Sequence, residues 1–208
     1  MAEFRYELII PKERIAVLIG KKGEVKKALE ANTNTKLNID SGEGIVRIEG
    51  SDAIRMFNTQ EVVKAIGRGF NPDIAMHLLK ADYIFELIDL KDYVKDKKNH
   101  LIRLKGRVIG ENGKSRRIIE ELTGTCVCVY GKTISIIGEA EHVSVAKRAV
   151  ESLLKGSPHS TVYRWLEKQR KEIKRKEMFG EEIELKESAK KMSQRDAENA
   201  KHFQAQKE

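Results

Sequence analysis

The sequence is poor in several residue types that mark particular protein classes. Of its 208 residues only two are cysteine, Cys126 and Cys128, and only three are proline. Two cysteines placed two positions apart cannot supply a disulfide framework or a four-thiolate zinc site, so we expect a reducing, cytoplasmic setting. No segment approaches the roughly 18 apolar residues of a membrane helix, and we therefore expect no membrane partner.

Patterns that carry catalysis are also missing. The five histidines form neither an H-E-x-x-H nor an H-x-x-E-H motif, and there is no nucleophile elbow, Walker loop or convincing carboxylate pair. We therefore predict no catalytic residue, no metal site and no cofactor, and we expect that the protein is not an enzyme. Aromatic residues make up 6% of the chain, and no aromatic cluster of the kind that stacks bases lies on a predicted strand.

Charge is plentiful and unbalanced. The chain carries 40 Lys and Arg against 32 Asp and Glu, which gives a net charge of +8 and a pI near 9.3. Such an excess favours a polyanionic partner, but it does not separate RNA from DNA or from an anionic lipid surface.

An internal repeat is the most informative feature of the sequence. The tetrad Gly20-Lys21-Lys22-Gly23 recurs 90 positions later as Gly110-Glu111-Asn112-Gly113, and apolar residues precede both copies. The same offset aligns the segments 33–35 and 123–125, and then two short β-rich runs. Chance readily supplies two such tetrads but not their matching flanks, so we predict two copies of one fold.

The sequence pattern of each copy predicts the element order β-α-α-β-β-α, which is an α+β fold. In the first copy, Phe4, Tyr6, Leu8 and Ile10 alternate with charged residues, which predicts a strand with one buried face. Helices are predicted around residues 11–19 and 24–32, strands at 36–40 and 45–49, and a last helix from about Asp52, a residue suited to capping it. The predicted elements of the second copy span residues 83–90, 101–108, 114–122, 125–130, 133–137 and 140–155. We expect both cysteines to lie on one side of a strand and to face a core, in preference to a redox or metal role.

These elements predict four regions: a first domain over residues 1–70, a connection over 71–81, a second domain over 82–156 and a tail over 157–208. In the connection, Asn71 is expected to cap a short helix from Pro72 to about Lys80 that packs between the domains. In the tail, Tyr163, Trp165 and Leu166 are expected to dock on the second domain. The rest of the tail is charged nearly throughout, which fits either exposed helices or disorder.

A helix–GxxG–helix turn inside such a unit resembles the type I KH domain, a module that clamps about four unpaired nucleotides. Glycines without side chains let a nucleic-acid backbone approach the main chain, and the helix that follows directs its N–H groups and positive dipole end at phosphates. In the first copy the candidate RNA-binding residues are therefore Ile19, as floor of the groove, and the turn itself: Gly20, Lys21, Lys22 and Gly23.

The second turn is less favourable for phosphate, because Glu111 and Asn112 replace the two lysines, but cations flank it on both sides. The candidate RNA-binding residues here are Arg103, Arg107, Ile109, Gly110, Glu111, Asn112, Gly113, Lys114, Ser115, Arg116 and Arg117. Any one of the cations could instead be an ordinary solvated helix residue. Arg107 could reach a phosphate or a base, or pair with Glu111, and Ser115 could donate to phosphate or satisfy the end of its helix.

Three segments resemble the archaeal KH-domain ribosome-assembly factors of the Partner-of-Nob or Dim type: residues 65–72, 103–116 and 156–163. The resemblance covers residues 1 to about 165. It implies binding near the 3′ end of the small-subunit rRNA during late maturation, partnership with a Nob-type PIN endonuclease, and contact with the α subunit of translation initiation factor two. Eukaryotic relatives have lost the first GxxG, whereas Gly20 and Gly23 are present here. The family pattern thus favours the second turn as the stronger site, and the charge favours the first.

Two other functions remain open at this point. The chain could be the RNA-binding subunit of an RNA-degrading complex, although such subunits usually carry an S1-type barrel, and no run of five strands occurs here. It could also be a protein-binding scaffold that has lost its RNA affinity, but the glycines of both turns argue against that.

Overall fold

The computed structural model describes residues 4–94 and 98–179. By its internal contacts the chain divides into one unit that ends at Leu166 and another that begins at Glu167. The first unit contains two copies of a β-α-α-β-β-α fold, as the repeat predicts. No helix within the described ranges is long and apolar enough to cross a membrane.

The first copy is built from three strands and three helices. Its elements are β1 (Phe4–Ile9), α1 (Lys12–Ile19), α2 (Glu24–Thr33), β2 (Lys36–Asp40), β3 (Ile45–Gly50) and α3 (Ala53–Gly67). The strands form an antiparallel sheet in the order β1-β3-β2, so β1 and β2 are its edges. Asp52 caps α3 as predicted, because its carboxylate accepts hydrogen bonds from the amides of Ile54 and Arg55 at 2.9 and 3.3 Å.

The second copy repeats this arrangement. Its elements are β4 (Tyr83–Asp89), α5 (Lys98–Ile109), α6 (Lys114–Thr123), β5 (Cys126–Tyr130), β6 (Thr133–Glu139) and α7 (Ala140–Leu154). The sheet order is β4-β6-β5, which again leaves the first and second strands at the edges. Each element lies within three residues of its predicted bounds, because hydrophobic periodicity and the turn glycines mark most of the boundaries.

Strand β1 departs from the predicted burial. Phe4 and Tyr6 are 47% and 45% exposed, whereas Ile10, just after the strand, is 4% exposed. The alternation of apolar residues correctly predicted the strand, but the prediction that all four residues are buried was wrong. Phe4 and Tyr6 line an open cleft together with residues at the start of α3, so this end of the strand is only partly covered.

The connection between the copies packs as predicted. It forms a short helix α4 (Pro72–Ala75) followed by one 3₁₀ turn (Met76–Leu79), and Ala75 and Leu78 are buried in the core of the first copy. Phe70, just before it, meets Phe85 of β4 edge to face at 6.4 Å between ring centroids. Asn71 occupies the N-cap position of α4 as predicted, and its backbone carbonyl, not its side chain, accepts from the amides of Ile74 and Ala75.

The two cysteines face a core from a strand, as predicted, and that core belongs to the first copy. On β5 it is Val127, 3% exposed, that points into the core of the second copy. Cys126 and Cys128 alternate to the other face of the sheet, where they are partly buried against the core of the first copy. A β-carbon added at Gly69 would lie 2.8 Å from the Cys128 sulfur. The first copy and the connection therefore cover the outer face of the second sheet.

Residues 159–179 form a final helix, α8. Val162 and Leu166, 3% and 0% exposed, complete the core of the second copy, and Trp165 packs against it beneath the Arg148 guanidinium at 5.6 Å. The core of the second copy thus extends beyond the predicted boundary at residue 156. The predicted tail from residue 180 onward lies outside the described residues.

Candidate nucleic-acid interface

The two GxxG turns have nearly the same backbone conformation. Gly20 and Gly110 have φ, ψ angles of 73°, 176° and 73°, 177°, and Gly23 and Gly113 have 80°, 16° and 76°, 12°. The third position of each turn, Lys22 or Asn112, also has a positive φ, near 50°. All six angles φ thus lie in the region that L-residues with side chains disfavour, which explains why glycine stands at both ends.

The two glycines of each turn serve different purposes. A β-carbon on Gly110 would lie 2.7 Å from the backbone nitrogen of Ser115, and one on Gly20 would lie 2.5 Å from the Val25 side chain. The first glycine is therefore required for packing within the protein. A β-carbon on Gly113 would meet no atom within 4 Å. The second glycine consequently keeps a surface open above the main chain.

The helices that follow the turns begin without a side-chain cap. Gly23 and Gly113 occupy the cap positions of α2 and α6, and no side chain among the described residues caps either helix. Only the first amide of each helix, that of Glu24 or Lys114, donates to a carbonyl of the turn, that of Lys21 or Glu111. Asp52, by contrast, caps α3 with its carboxylate. Because uncapped N–H groups and the positive end of the helix dipole favour anions, both turns are suited to bind phosphate.

The first turn carries its cations directly. Lys21 and Lys22 are both exposed at its two middle positions. Ile19, the predicted floor residue, is half-buried at the end of α1 and packs against the first core. The predicted residues of the first site therefore come together at one surface.

The second turn relies on cations along its helices. Glu111 and Asn112 are exposed at its middle positions, Ile109 is half-buried, and Arg103 is exposed two helical turns earlier on α5. On α6, Lys114, Arg116 and Arg117 are all exposed. Arg117 donates to the carbonyl of Asn112 at 2.7 Å, which holds its charge beside the turn.

Arg107 is held by backbone carbonyls, and its contact with RNA remains a prediction. Its guanidinium donates to the backbone carbonyls of Leu153 and Ser157, at 2.9 and 2.7 Å, and so joins α5 to the end of α7. Arg14 does the same in the first copy, donating to the carbonyls of Ile66 and Phe70 at 2.8 and 2.6 Å. The two arginines are three positions apart in the repeat alignment, and neither motif nor charge pattern indicated this shared role.

Ser115 lies beneath its turn, and its RNA-binding role remains a prediction. It is 1% exposed, and its hydroxyl has no hydrogen-bond partner among the described residues. It packs beneath Gly110 where Val25 packs beneath Gly20. Because the hydroxyl is buried under the turn, it cannot donate to a phosphate above the turn in this conformation, nor does it satisfy the helix end.

Two glutamates make a repeated contact that was not predicted from the sequence. Glu30 on α2 accepts from the amide of Leu37 at 2.7 Å, and Glu120 on α6 accepts from the amide of Val127 at 2.8 Å. Both glutamates and both donor amides, those of Leu37 and Val127, obey the 90-residue offset, so the repeat itself was the signal that could have found them. Within the described ranges, no three His, Cys, Asp or Glu side chains gather into a possible metal site.

Comparisons with known proteins agree with this geometry. A family model of the second KH domain of PNO1, described as a eukaryotic-type (type I) KH domain, matches residues 84–171, and a general KH-domain model matches residues 5–67. The chain is 51% identical over 172 residues to a KH domain-containing protein of Methanocaldococcus jannaschii, covering 81% of this chain and 75% of that protein.

More distant and structural relatives carry functional names. The chain is 33% identical to the pre-rRNA-processing protein PNO1 of Saccharomyces cerevisiae over 66% of its own length, but it spans only 46% of that protein. It superposes with a TM-score of 0.76, at 45% identity, on a chain from the crystal structure of an a/eIF2alpha–aDim2p–rRNA complex of Pyrococcus horikoshii. That match covers 81% of this chain and 95% of the other.

Proposed function

Because the chain belongs to the archaeal PNO1/Dim2-type family of KH-domain proteins, we propose that it is an RNA-binding factor in maturation of the small ribosomal subunit. It binds single-stranded rRNA near the 3′ end through its GxxG turns. The observation that carries this proposal is the pair of equivalent turns, each opening onto an uncapped helix N-terminus.

Its partners follow from the relatives. A Dim2p of the same architecture was crystallised with a/eIF2alpha and rRNA, which supports an rRNA and an initiation-factor α subunit as partners of this chain. We also propose a Nob-type PIN endonuclease as a partner. That enzyme cleaves the RNA, and this chain positions the RNA without catalysis. The two unpaired thiols fit a reducing compartment such as the cytoplasm.

The test is a binding titration against a fluorescent single-stranded RNA that copies the 3′ end of the small-subunit rRNA. Micromolar or tighter binding is expected, and it should weaken steeply with salt because phosphate contacts release counterions. The double variant Lys21→Asp/Lys22→Asp and the double variant Lys114→Asp/Arg117→Asp then rank the two turns. We expect each to weaken binding at least about tenfold.

The matched control is Lys91→Asp/Lys155→Asp, which changes the net charge equally at exposed positions outside both turns. It should lower affinity by no more than about twofold. Equal losses in all three variants would mean that only overall charge attracts the RNA, and the assignment of the turns would then be wrong.

The absence of catalysis is tested separately. A labelled RNA that spans the mature 3′ end is incubated with the purified chain and Mg²⁺ or Mn²⁺. We expect the RNA to stay intact until a PIN endonuclease is added. Metal-dependent cleavage that co-purifies with the chain and disappears in no-protein controls would contradict the non-catalytic function.

A further inference from the structure

The outer strand edges beside the two turns carry a repeated side-chain contact. Strands β2 and β5 are sheet edges, and the Leu37 and Val127 amides donate away from the sheet to Glu30 and Glu120. In an antiparallel sheet the N–H and C=O of one residue point to the same side. The carbonyls of Leu37 and Val127 therefore also point outward, toward the space between strand and helix.

A strand edge normally offers a donor and an acceptor side by side. That pair complements the hydrogen-bonding edges of adenine and cytosine, each of which places an amino donor beside a ring-nitrogen acceptor. Here the glutamate carboxylate accepts a hydrogen bond from the strand amide, so that amide is not free to donate to a base. What remains at the edge is a row of acceptors: the backbone carbonyl and the carboxylate itself.

Each carboxylate also lies near a cation in the first turn of its own helix. Glu120 is 3.5 Å from the Arg116 guanidinium nitrogen, and Glu30 is 3.9 Å from the Lys26 ammonium, one helical turn earlier in each case. Both glutamates are about one-quarter exposed, so the groups are reachable from solvent. The same three-part chain of cation, carboxylate and strand amide thus occurs in both copies.

We propose that Glu30 and Glu120 set base specificity in the two grooves by converting the strand edge to acceptors only. This inference rests on the proposed function, since it names the bases that the same grooves prefer. An acceptor-only edge favours a base with adjacent donors, and guanine alone presents two, its N1–H and its N2 amino group. Adenine and cytosine would direct a ring nitrogen at the carboxylate and are disfavoured.

The simpler alternative is that the glutamates only protect exposed strand edges from pairing with another chain. Stability and aggregation measurements would detect that role, but it predicts no change in base preference. The readout is therefore the preference itself. Full-length protein selects from a pool of randomised single-stranded RNA, and the enriched sequences of the wild type, Glu120→Gln, Glu120→Ala and Glu121→Gln are compared.

We expect the wild type to prefer guanine about tenfold at one bound position. In Glu120→Gln the glutamine oxygen must still accept from the Val127 amide. The glutamine NH₂ group therefore points into the groove, where it can donate to the ring nitrogen of adenine or cytosine. Glu120→Ala exposes the amide and should shift the preference in the same direction. Glu121 is exposed on the same helix and lacks the strand contact, so Glu121→Gln controls for lost charge and should retain the guanine preference.

The outcomes distinguish failure of this inference from failure of the proposed function. If Glu120→Ala does not fold, Glu120→Gln, which keeps the volume and the acceptor, decides the question. An unchanged base profile in a folded, RNA-binding Glu120→Gln would overturn this inference and leave the proposed function standing. A wild type that enriches no RNA would overturn both. Glu30→Gln should produce the same shift at a second position.

Discussion

The two GxxG turns differ in chemistry while sharing one backbone. The third position has a left-handed conformation in both, yet it is Lys22 in the first copy and Asn112 in the second. Asparagine tolerates that conformation, whereas lysine has no local hydrogen bond to stabilise it. The first turn thus retains a strained residue that supplies a charge, which is the pattern expected where strain serves function.

The cations of the second copy lie on its helices instead. Its turn places Glu111 and Asn112 at the surface, and the positive charge is displaced to Lys114 and its neighbours on α6. The comparison shows that glycines and packing determine the shape of the turn, while the residues between the glycines are free to vary its charge. Four experiments test this difference between the copies.

The largest effect is expected from the first glycine of a turn. In Gly110→Ala the new methyl group would lie 2.7 Å from the Ser115 nitrogen, at a φ of +73°, so the second copy should lose about 3 kcal/mol of stability. Gly113→Ala meets no atom within 4 Å and should cost only about 1 kcal/mol. Urea denaturation followed by circular dichroism measures both, and equal losses would refute the division of roles between the glycines.

The arginine contacts come next. Arg107→Lys and Arg14→Lys each lose a fork that spans two carbonyls, which lysine cannot reproduce. We expect each to lower the free energy of unfolding by about 2 kcal/mol, since both hydrogen bonds are charge-assisted. RNA affinity, measured where the variant is folded, should be nearly unchanged. A loss of affinity without a loss of stability would support the prediction that Arg107 contacts RNA.

Exchanging the third residue of the turns tests strain against charge. Lys22→Asn should stabilise the first copy by up to about 1 kcal/mol and weaken RNA binding. The slope of log affinity against log salt should become shallower by about 0.7, the value for one lost phosphate contact on a single strand. Asn112→Lys should do the reverse in the second copy. Thermal melts measure the stability and salt titrations measure the RNA affinity. If stability and affinity change in the same direction, the proposed opposition between strain and charge is wrong.

The smallest effect concerns the cysteines, which lie only in the second sheet. Burial against the first copy, with a contribution from the Glu120 carboxylate, raises the pKa of the Cys126 thiol, and burial raises the pKa of Cys128. Both should therefore react slowly with iodoacetamide at neutral pH, and faster as the pH rises through the raised pKa. Any stability that the protonated thiols contribute is fully present below the pKa of an ordinary thiol. It is lost as the pH rises through the raised pKa of the folded protein. Mass spectrometry of folded and urea-unfolded protein checks the difference, and equal rates would show that the thiols are not covered.

The fold was largely predictable because its signals are local. The 90-residue repeat, the turn glycines and strand alternation predicted the element order of both copies and the two sites at Gly20–Gly23 and Gly110–Gly113. The predicted helix after Asn71 and the docking of Leu166 were also confirmed. The RNA-binding assignments of the individual side chains remain predictions.

The errors concern which side of an element meets which neighbour. Phe4 was predicted buried and is half exposed, and the sequence did not indicate that the core Cys128 faces belongs to the other copy. Composition and spacing do not distinguish a strand's two faces when both carry apolar residues. Arg107 could not be assigned from the sequence either, because its acceptors lie 46 and 50 residues away.

By itself the sequence determined the duplicated fold, the position of both glycine turns and the surplus of positive charge, because each depends on residues close together in the chain. The tertiary structure alone decided how the arginines and glutamates are used. A guanidinium or carboxylate can serve phosphate, base or backbone equally well, and only the atoms that folding brings within about 3 Å of it select among these roles.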